Sequence, residues 1–459
     1  MSGKGATATR DDNTNPIIRR VAVKADCVLR TPALIGGGLG ENTDSDILRD
    51  AGGEPFLPGS TVAGVLRSLR EETAELFGKQ DNISPLWVFD AEFSGGKVVE
   101  FDGVALEREN KVAREKMKYD FEAIDTGAAF TLRLLLTIRE ADGGKDYEAL
   151  LRKLIGALRA GDVAFGAKTR RGFGRVTCVS AVKREFDLRA GNKAALRSWL
   201  EFLEWGGAPA VDGWRRPDGW AEVEGDELAR DYSILTAALT IDGSVMIRDT
   251  RHVYDGLDEG EKAPDYKHIS SGGQPVILGT SWAGAFRSVL YRLLRPRFPR
   301  QTEGYLNSVF GDVPEASRDA SRDASRDAQA DASVSLVVFG ASFLRAVDGE
   351  TDGYRNITRV KIDRFTGGAA NGALFNERPW YGGATVLELR FPKGRDDIKE
   401  LLCLGLDSLD KGIAGIGGES AIGRGFLKVG DVAVDGIKTM IGGPKPRLAD
   451  AIQKAGESA

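Results

Sequence analysis

The stretch "EPFLPGSTVAGVLRSLREE", Glu54 to Glu72, reads as the end of a strand, a Pro-Gly-Ser turn and a helix. "QPVILGTSWAGAFRSVLYR", Gln274 to Arg292, repeats it in register. The matches are Pro55/Pro275, Gly59/Gly279, Ala63/Ala283, Gly64/Gly284, Arg67/Arg287 and Ser68/Ser288. The echo continues along the chain. "LFG" (Leu76 to Gly78) is answered by "VFG" (Val309 to Gly311), and "LWVFDAEFSG" (Leu86 to Gly95) by "LVVFGASFL" (Leu336 to Leu344). "VALEREN" (Val104 to Asn110) pairs with "VKIDRFTGG" (Val360 to Gly368), and "AAFTLRLLLTI" (Ala128 to Ile138) with "TVLELRF" (Thr385 to Phe391). Each half closes on a glycine-rich hook, "GAKTRRGFGRV" (Gly166 to Val176) and "GGESAIGRGFLKV" (Gly417 to Val429). Landmarks in one order, twice over, make the chain a tandem duplication.

Each half reads as strand, loop, helix, strands, helix, strand. Val62, Val65, Leu66 and Leu69 fall on one helical stripe, as do Trp282, Phe286, Val289, Leu290 and Leu293. "YEALLRKLIGALRAG" and "DIKELLCLGLDSL" supply the second helices. The expected class is α+β, two tandem ferredoxin-like (RRM-like) domains. The expected domains are 17–190 and 229–435, after a flexible N-terminus, 1–16, and before a tail, 436–459. Between them, 191–228 is a Gly-, Pro- and Trp-rich linker. "ASRDASRDASRDAQADAS" (316–333) is a low-complexity insert with too little apolar surface to fold alone.

A chain of 459 residues suits two cores. The first residues carry no apolar signal segment, and no run approaches membrane-helix length. Cys27, Cys178 and Cys403 are far apart and form no CxxC pair, which argues against a zinc site or disulfide framework and fits a cytoplasmic protein. With His252 and His268 as the only histidines, a histidine-rich metal site is excluded. The net charge of −5 leaves room for nucleic acid, which needs a local basic track. There is no GxxxxGK[ST] loop for ATP, and "IGGGLG" (Ile35 to Gly40) lacks the dinucleotide spacing.

Two kinds of motif carry chemistry. Gly59-Ser60 and Gly279-Thr280 open helices, where outward N–H groups suit a phosphate, or where the hydroxyl is simply an N-cap. The first hook packs Lys168, Arg170, Arg171 and Arg175 around Gly172 and Gly174. Glycine lets backbone approach a ligand and arginine grips phosphate. The second hook offers Gly423, Arg424 and Lys428.

"GEPFLPGSTVAGVLR", "FDAEF", "GVALERE", "KIDRFTGGAANGALF" and "RRGFGRV" together resemble the RAMP superfamily, RNA-binding proteins of CRISPR–Cas systems. In detail the chain resembles two fused copies of the Cas-seven backbone subunit of type III (III-D-like) effector complexes. The resemblance implies that each copy holds guide RNA (crRNA). It also implies a β-hairpin thumb at Val104 to Tyr119 and at Val360 to Phe375. Arg67, Arg287, Arg359, Lys361 and Arg364 join the hooks as expected RNA contacts. Family members that cleave target RNA use an aspartate in an Asp-Ser-Pro-Val-Ile-Lys-Asp loop. Here "DSDILRD" puts Asp44 in that place, with Asp46 replacing the proline. Asp44 is thus the expected catalytic residue and Mg²⁺ ligand, with Asp265 of "EKAPDYKHIS" its counterpart. Implied partners are crRNA, target RNA and neighbouring effector subunits. Two alternatives stand beside this endoribonuclease reading. One is an inert RNA-binding scaffold. The other is a Cas-six-like processing enzyme using His252 or His268, both otherwise read as solvated loop histidines.

Overall fold

The structure, a computed structural model, describes residues 15–38, 43–78, 83–106, 113–202, 205, 218–249, 263–312, 333–347 and 353–455. The first half runs β1 (Ile17–Leu29), α1 (Gly59–Ser68), β2 (Leu86–Val88), β3 (Ala91–Ser94), β4 (Val98–Leu106), β5 (Ala113–Ile124), β6 (Ala129–Arg139), α2 (Tyr147–Arg159), β7 (Val176–Asp187). Helix α3 (Lys193–Leu200) leads to the second half. That half has β8 (Tyr232–Asp242), β9 (Tyr266–His268), α4 (Gly279–Leu294), α5 (Thr302–Phe310), β10 (Val338–Phe339), β11 (Ile357–Ile362), β12 (Ala369–Arg378), β13 (Ala384–Pro392), α6 (Asp396–Asp410), β14 (Phe426–Val434) and α7 (Pro446–Ala455). The architecture is α+β.

The two central sheets share one antiparallel order. In the first, β1 lies between β7 and β6, and β2 and β3 pair with the far side of β6. In the second, β8 lies between β14 and β13, and β10 pairs with β13. Each half also projects a strand pair, β4–β5 as a two-stranded ribbon in the first and β11–β12 in the second, where β12 also pairs in parallel with β9. The insert expected at 316–333 falls, but for Ser333, outside the described residues, as do residues 107–112 of the expected first thumb and His252.

The sheets differ in how they are covered. Strand β8 alternates buried and open positions, as a sheet with one packed face must. Strand β1 is buried without a break from Val21 to Cys27. The linker explains this: Phe186, Trp199, Phe202, Trp205 and Trp220 form an aromatic layer on that sheet's outer face, reached by Ala22. The expected C-terminal tail also carries an element that the sequence did not announce. Helix α7 buries Leu448 and Ile452 against the second core.

The halves are joined by packing as well as by chain. Ile269, Val276 and Leu278 belong to the first half's core. Arg175 forms an ion pair with Glu388 (2.9 Å). Arg390 reaches back to the Gly161 carbonyl (3.0 Å) and to Asp162 (3.6 Å).

Candidate nucleic-acid interface

The Asp44 loop is laced to β5. The Asp44 N–H donates to Asp120 Oδ1 (2.9 Å), and the Asp120 N–H donates to Asp44 Oδ2 (3.2 Å). Two residues on, Glu122 accepts from the Ile47 N–H (3.1 Å) and pairs with Arg49 (3.1 Å). Asp46 works inside the loop: its Oδ1 accepts from the Thr43 N–H and hydroxyl (3.1 and 2.7 Å). One aspartate therefore shapes the loop while Asp44 is presented on the ribbon.

The second half repeats the arrangement. The Asn376 N–H on β12 donates to Asp265 Oδ2 (2.8 Å), and the Asp265 N–H donates to the Asn376 carbonyl (2.8 Å). Asp265 is exposed, Asp44 half-buried. Despite the altered flanking sequence, both carboxylates sit on a backbone N–H at the same position of the ribbon's returning strand.

The hooks share a backbone and differ in chemistry. Lys168 and Glu419 are left-handed (φ 57° and 62°), each followed by a short 3₁₀ turn and a left-handed glycine, Gly172 or Gly423. Gly174 and Gly425 pass so close to the Phe165 and Ile416 carbonyls that a Cβ would lie 1.9 and 2.0 Å away. In the first hook the Lys168 ammonium lies over the rings of Phe121 (3.9 Å) and Tyr119 (4.3 Å), and burial pulls its pKa down to about 8. Phe173 completes an aromatic cluster with Phe101 and Phe121. The second hook replaces this with ions. Glu419 stands where Lys168 stood and Arg424 where Phe173 stood. Arg424 is buried, bonded to Glu419 and Glu377 (2.9 Å to the latter). Arg359 closes the network on Glu377 (3.1 Å). Burial works against the Glu377 carboxylate, but Arg359 and Arg424 outweigh it and hold the group below the usual carboxylate range. Arg424 is thus spent on neighbours and does not line a phosphate track.

Other expected contacts are sorted by burial. Arg170 and Arg67 are exposed. Arg171 donates to the Phe310 carbonyl (3.2 Å) and Arg175 crosses to Glu388, so both sit at the joint of the halves. Arg287 ties α4 to α5 through the Gly311 carbonyl (2.9 Å) and Asn307. Lys361 and Arg364 are exposed near the second ribbon's turn, with Phe365, Ile362 and Leu374 also bare.

Ser60 and Thr280 are not caps. Pro58 and Leu278 occupy the cap positions, so both hydroxyl residues lie inside the first turn. The α1 terminus already holds an anion: the Gly59 N–H donates to Asp90 (2.7 Å). At α4 the first hook fills the space, and a Cβ on Gly279 would lie 2.2 Å from the carbonyl oxygens of Arg171 and Phe339. His268 is also not a loop residue. It is fully buried on β9, accepts at Nδ1 from the Ile247 N–H (3.1 Å), and burial pushes its pKa down to about 3. A group so placed cannot reach RNA as a general base.

Sequence reading passed over Tyr119, Asp120 and Glu122. Their signal was the alternation in "KYDFE", which sends Tyr119 and Phe121 to one face and Asp120 and Glu122 to the other.

A family model described as the RAMP superfamily matches residues 26–177 and 258–428, one segment in each half. A search of curated proteins returned no match. Among the described residues no helix is long and apolar enough to cross a membrane. Proteins of this superfamily generally bind CRISPR guide RNA and other effector subunits. Two matched segments covering most of the chain, on two copies of one sheet order, show that it belongs to the RAMP superfamily, as a CRISPR-associated RNA-binding protein with two such domains in tandem.

Proposed function

We propose that the chain is a cytoplasmic Cas-seven-like backbone subunit of a type III effector complex. Its ferredoxin-like halves hold guide RNA, and its ribbons act as thumbs. The first half cleaves complementary target RNA. The observation that carries the cleavage reading is the repeated seat of the two aspartates: Asp44 on the Asp120 N–H and Asp265 on the Asn376 N–H.

RNA brings its own nucleophile, the 2′-OH, which attacks the adjacent phosphorus when the strand is bent to an in-line angle. A ribbon inserted between guide segments would unstack a target nucleotide and permit that angle. Asp44 then takes the 2′-OH proton, the P–O5′ bond breaks as the 2′-oxygen bonds to phosphorus, the departing 5′-oxygen takes a proton from water, and the cations of the first hook, Lys168 and Arg170, hold the phosphate's charge. In the second half the hook residue at that place is Glu419, so Asp265 is the weaker of the two.

Among the described residues no three His, Cys, Asp or Glu side chains gather to cage a metal. Mg²⁺ commonly binds through one or two carboxylates plus water and substrate phosphate, and Asp44 with Asp120 fits that donor set. Bound there, the ion would supply charge stabilisation at the scissile phosphate.

The test is target cleavage by the guide-loaded complex with and without Asp44→Ala. Loss of a product band supports the nuclease. An unchanged ladder leaves the scaffold.

A further inference from the structure

The second half contains a depression of about 770 Å³, within the roughly 300–1,000 Å³ of ligand pockets. Lys267, Arg345 and Arg378 line it together with Phe343, Tyr354 and Trp380, and no carboxylate is among its described lining residues. Lys267 and Arg378 are register partners on β9 and β12. Both also lean on one ring, with Lys267 Nζ 5.2 Å and Arg378 Cζ 5.4 Å from the centre of Tyr354. That ring is held by its hydroxyl, which donates to the His268 carbonyl (3.0 Å), and by edge-on packing against Trp380.

The duplication supplies a control. Lys267 follows Asp265 by two residues, as Asp46 follows Asp44. Arg378 follows Asn376 by two, as Glu122 follows Asp120. Gln274 precedes Pro275 as Glu54 precedes Pro55. The face that is acidic in the first half has therefore become basic and aromatic in the second, two residues from Asp265. Cations around aromatic rings are the chemistry that takes a nucleotide: phosphate on the cations, base on the rings.

We propose that this pocket seats one nucleotide of single-stranded RNA, its phosphate among Lys267, Arg345 and Arg378 and its base against Phe343 and Tyr354. The proposal rests on the RNA-binding reading and adds a site that the first half does not have.

The test uses the full chain and single-stranded RNA carrying 5-iodouridine, which cross-links to aromatic side chains. The expected adduct maps to Phe343 or Tyr354. Lys267→Gln with Arg345→Gln should weaken binding about tenfold and lower the salt slope by about 1.4, since each phosphate contact on a single strand contributes about 0.7. Arg345→Gln alone alters an exposed residue and keeps the test valid if the double variant folds poorly; its slope should drop by about half as much. Wild-type protein that binds RNA, with adducts only elsewhere and variants of unchanged slope, overturns the pocket and spares the RNA-binding reading. Wild-type protein that binds no RNA overturns both.

Discussion

Asp44 and Asp120 hydrogen-bond each other's backbone, each N–H donating to the other's carboxylate. This reciprocal contact fixes a loop aspartate on a ribbon whose neighbouring residues, Tyr119 and Phe121, lie under the Lys168 ammonium. One three-residue stretch of β5 therefore seats the loop of the candidate base and backs the candidate phosphate grip.

Asp44→Asn separates charge from shape. The amide oxygen can still accept from the Asp120 N–H, so the loop should keep its seat. Removing a general base costs about 10²- to 10⁴-fold in rate. The product band assigned to the first half should fade accordingly on a sizing gel of labelled target, with RNA affinity unchanged or slightly raised. Retention of that band in Asp44→Asn would remove Asp44 from the chemistry.

Lys168 gives RNA binding a pH signature. Its folded pKa, about 8, lies below the ordinary lysine value, so the ammonium discharges early as pH rises. Affinity measured by fluorescence anisotropy at fixed salt should fall from about pH 7 to about pH 9, the window around that value. Lys168→Arg keeps the charge throughout and should flatten the profile. Equal profiles for both proteins would take Lys168 off the RNA.

His268 sets an acid limit on folding. Its folded pKa is depressed, so the unfolded chain takes up a proton that the native core refuses. Above about pH 6.5 both states are neutral and the residue has no effect; below it stability falls, by up to about 1.4 kcal/mol per pH unit, until the folded group titrates near 3. His268→Gln should lose this slope between about pH 6.5 and pH 5, where most carboxylates remain ionised. Denaturant melts across that window provide the check, and parallel slopes for the two proteins would contradict it.

The duplication was legible because turn glycines and helix stripes are local features, and they recur in register. Asp44 was named through the resemblance of its loop to the family's cleaving members, and Asp265 through its place in the repeat. What escaped was pairing across distance. Arg175 and Arg424 look alike in their hooks, yet one crosses to Glu388 and the other is buried between Glu377 and Glu419. Spacing aligns Glu419 with Lys168, but it cannot show the ion network there, which depends on Glu377 of β12 and Arg359 of β11 lying alongside. The Trp-rich linker suggests packing by its tryptophans, but the surface they cover shows only in the second buried face of β1.

The joint between the halves should be sensitive at one glycine. Gly279 meets the Arg171 and Phe339 carbonyls so closely that a methyl group fits only if backbone moves. Gly279→Ala should cost at least the roughly 1–3 kcal/mol of an overpacked core. Gly64→Ala is the control, since a Cβ there meets nothing within 4 Å and alanine favours the helix. Equal melting temperatures for the two variants would mean that the halves are not held as described.

Deletion of Ser317 to Asp331 should be tolerated. The ends of this insert are already tied: Asp312 and Ser333 exchange backbone hydrogen bonds (3.1 Å each), and Leu336 donates to the Val309 carbonyl (2.9 Å). The deletion cuts the segment between Asp312 and Ser333 to about a quarter of its length, which lowers closure entropy by about 1 kcal/mol. The repeated "SRDA" also carries no large apolar residue to withdraw from a core. The deleted protein should melt at the same temperature or slightly higher and keep its RNA affinity. A clear drop in melting temperature would show that the insert contributes packing; a drop in affinity alone would assign its arginines to RNA.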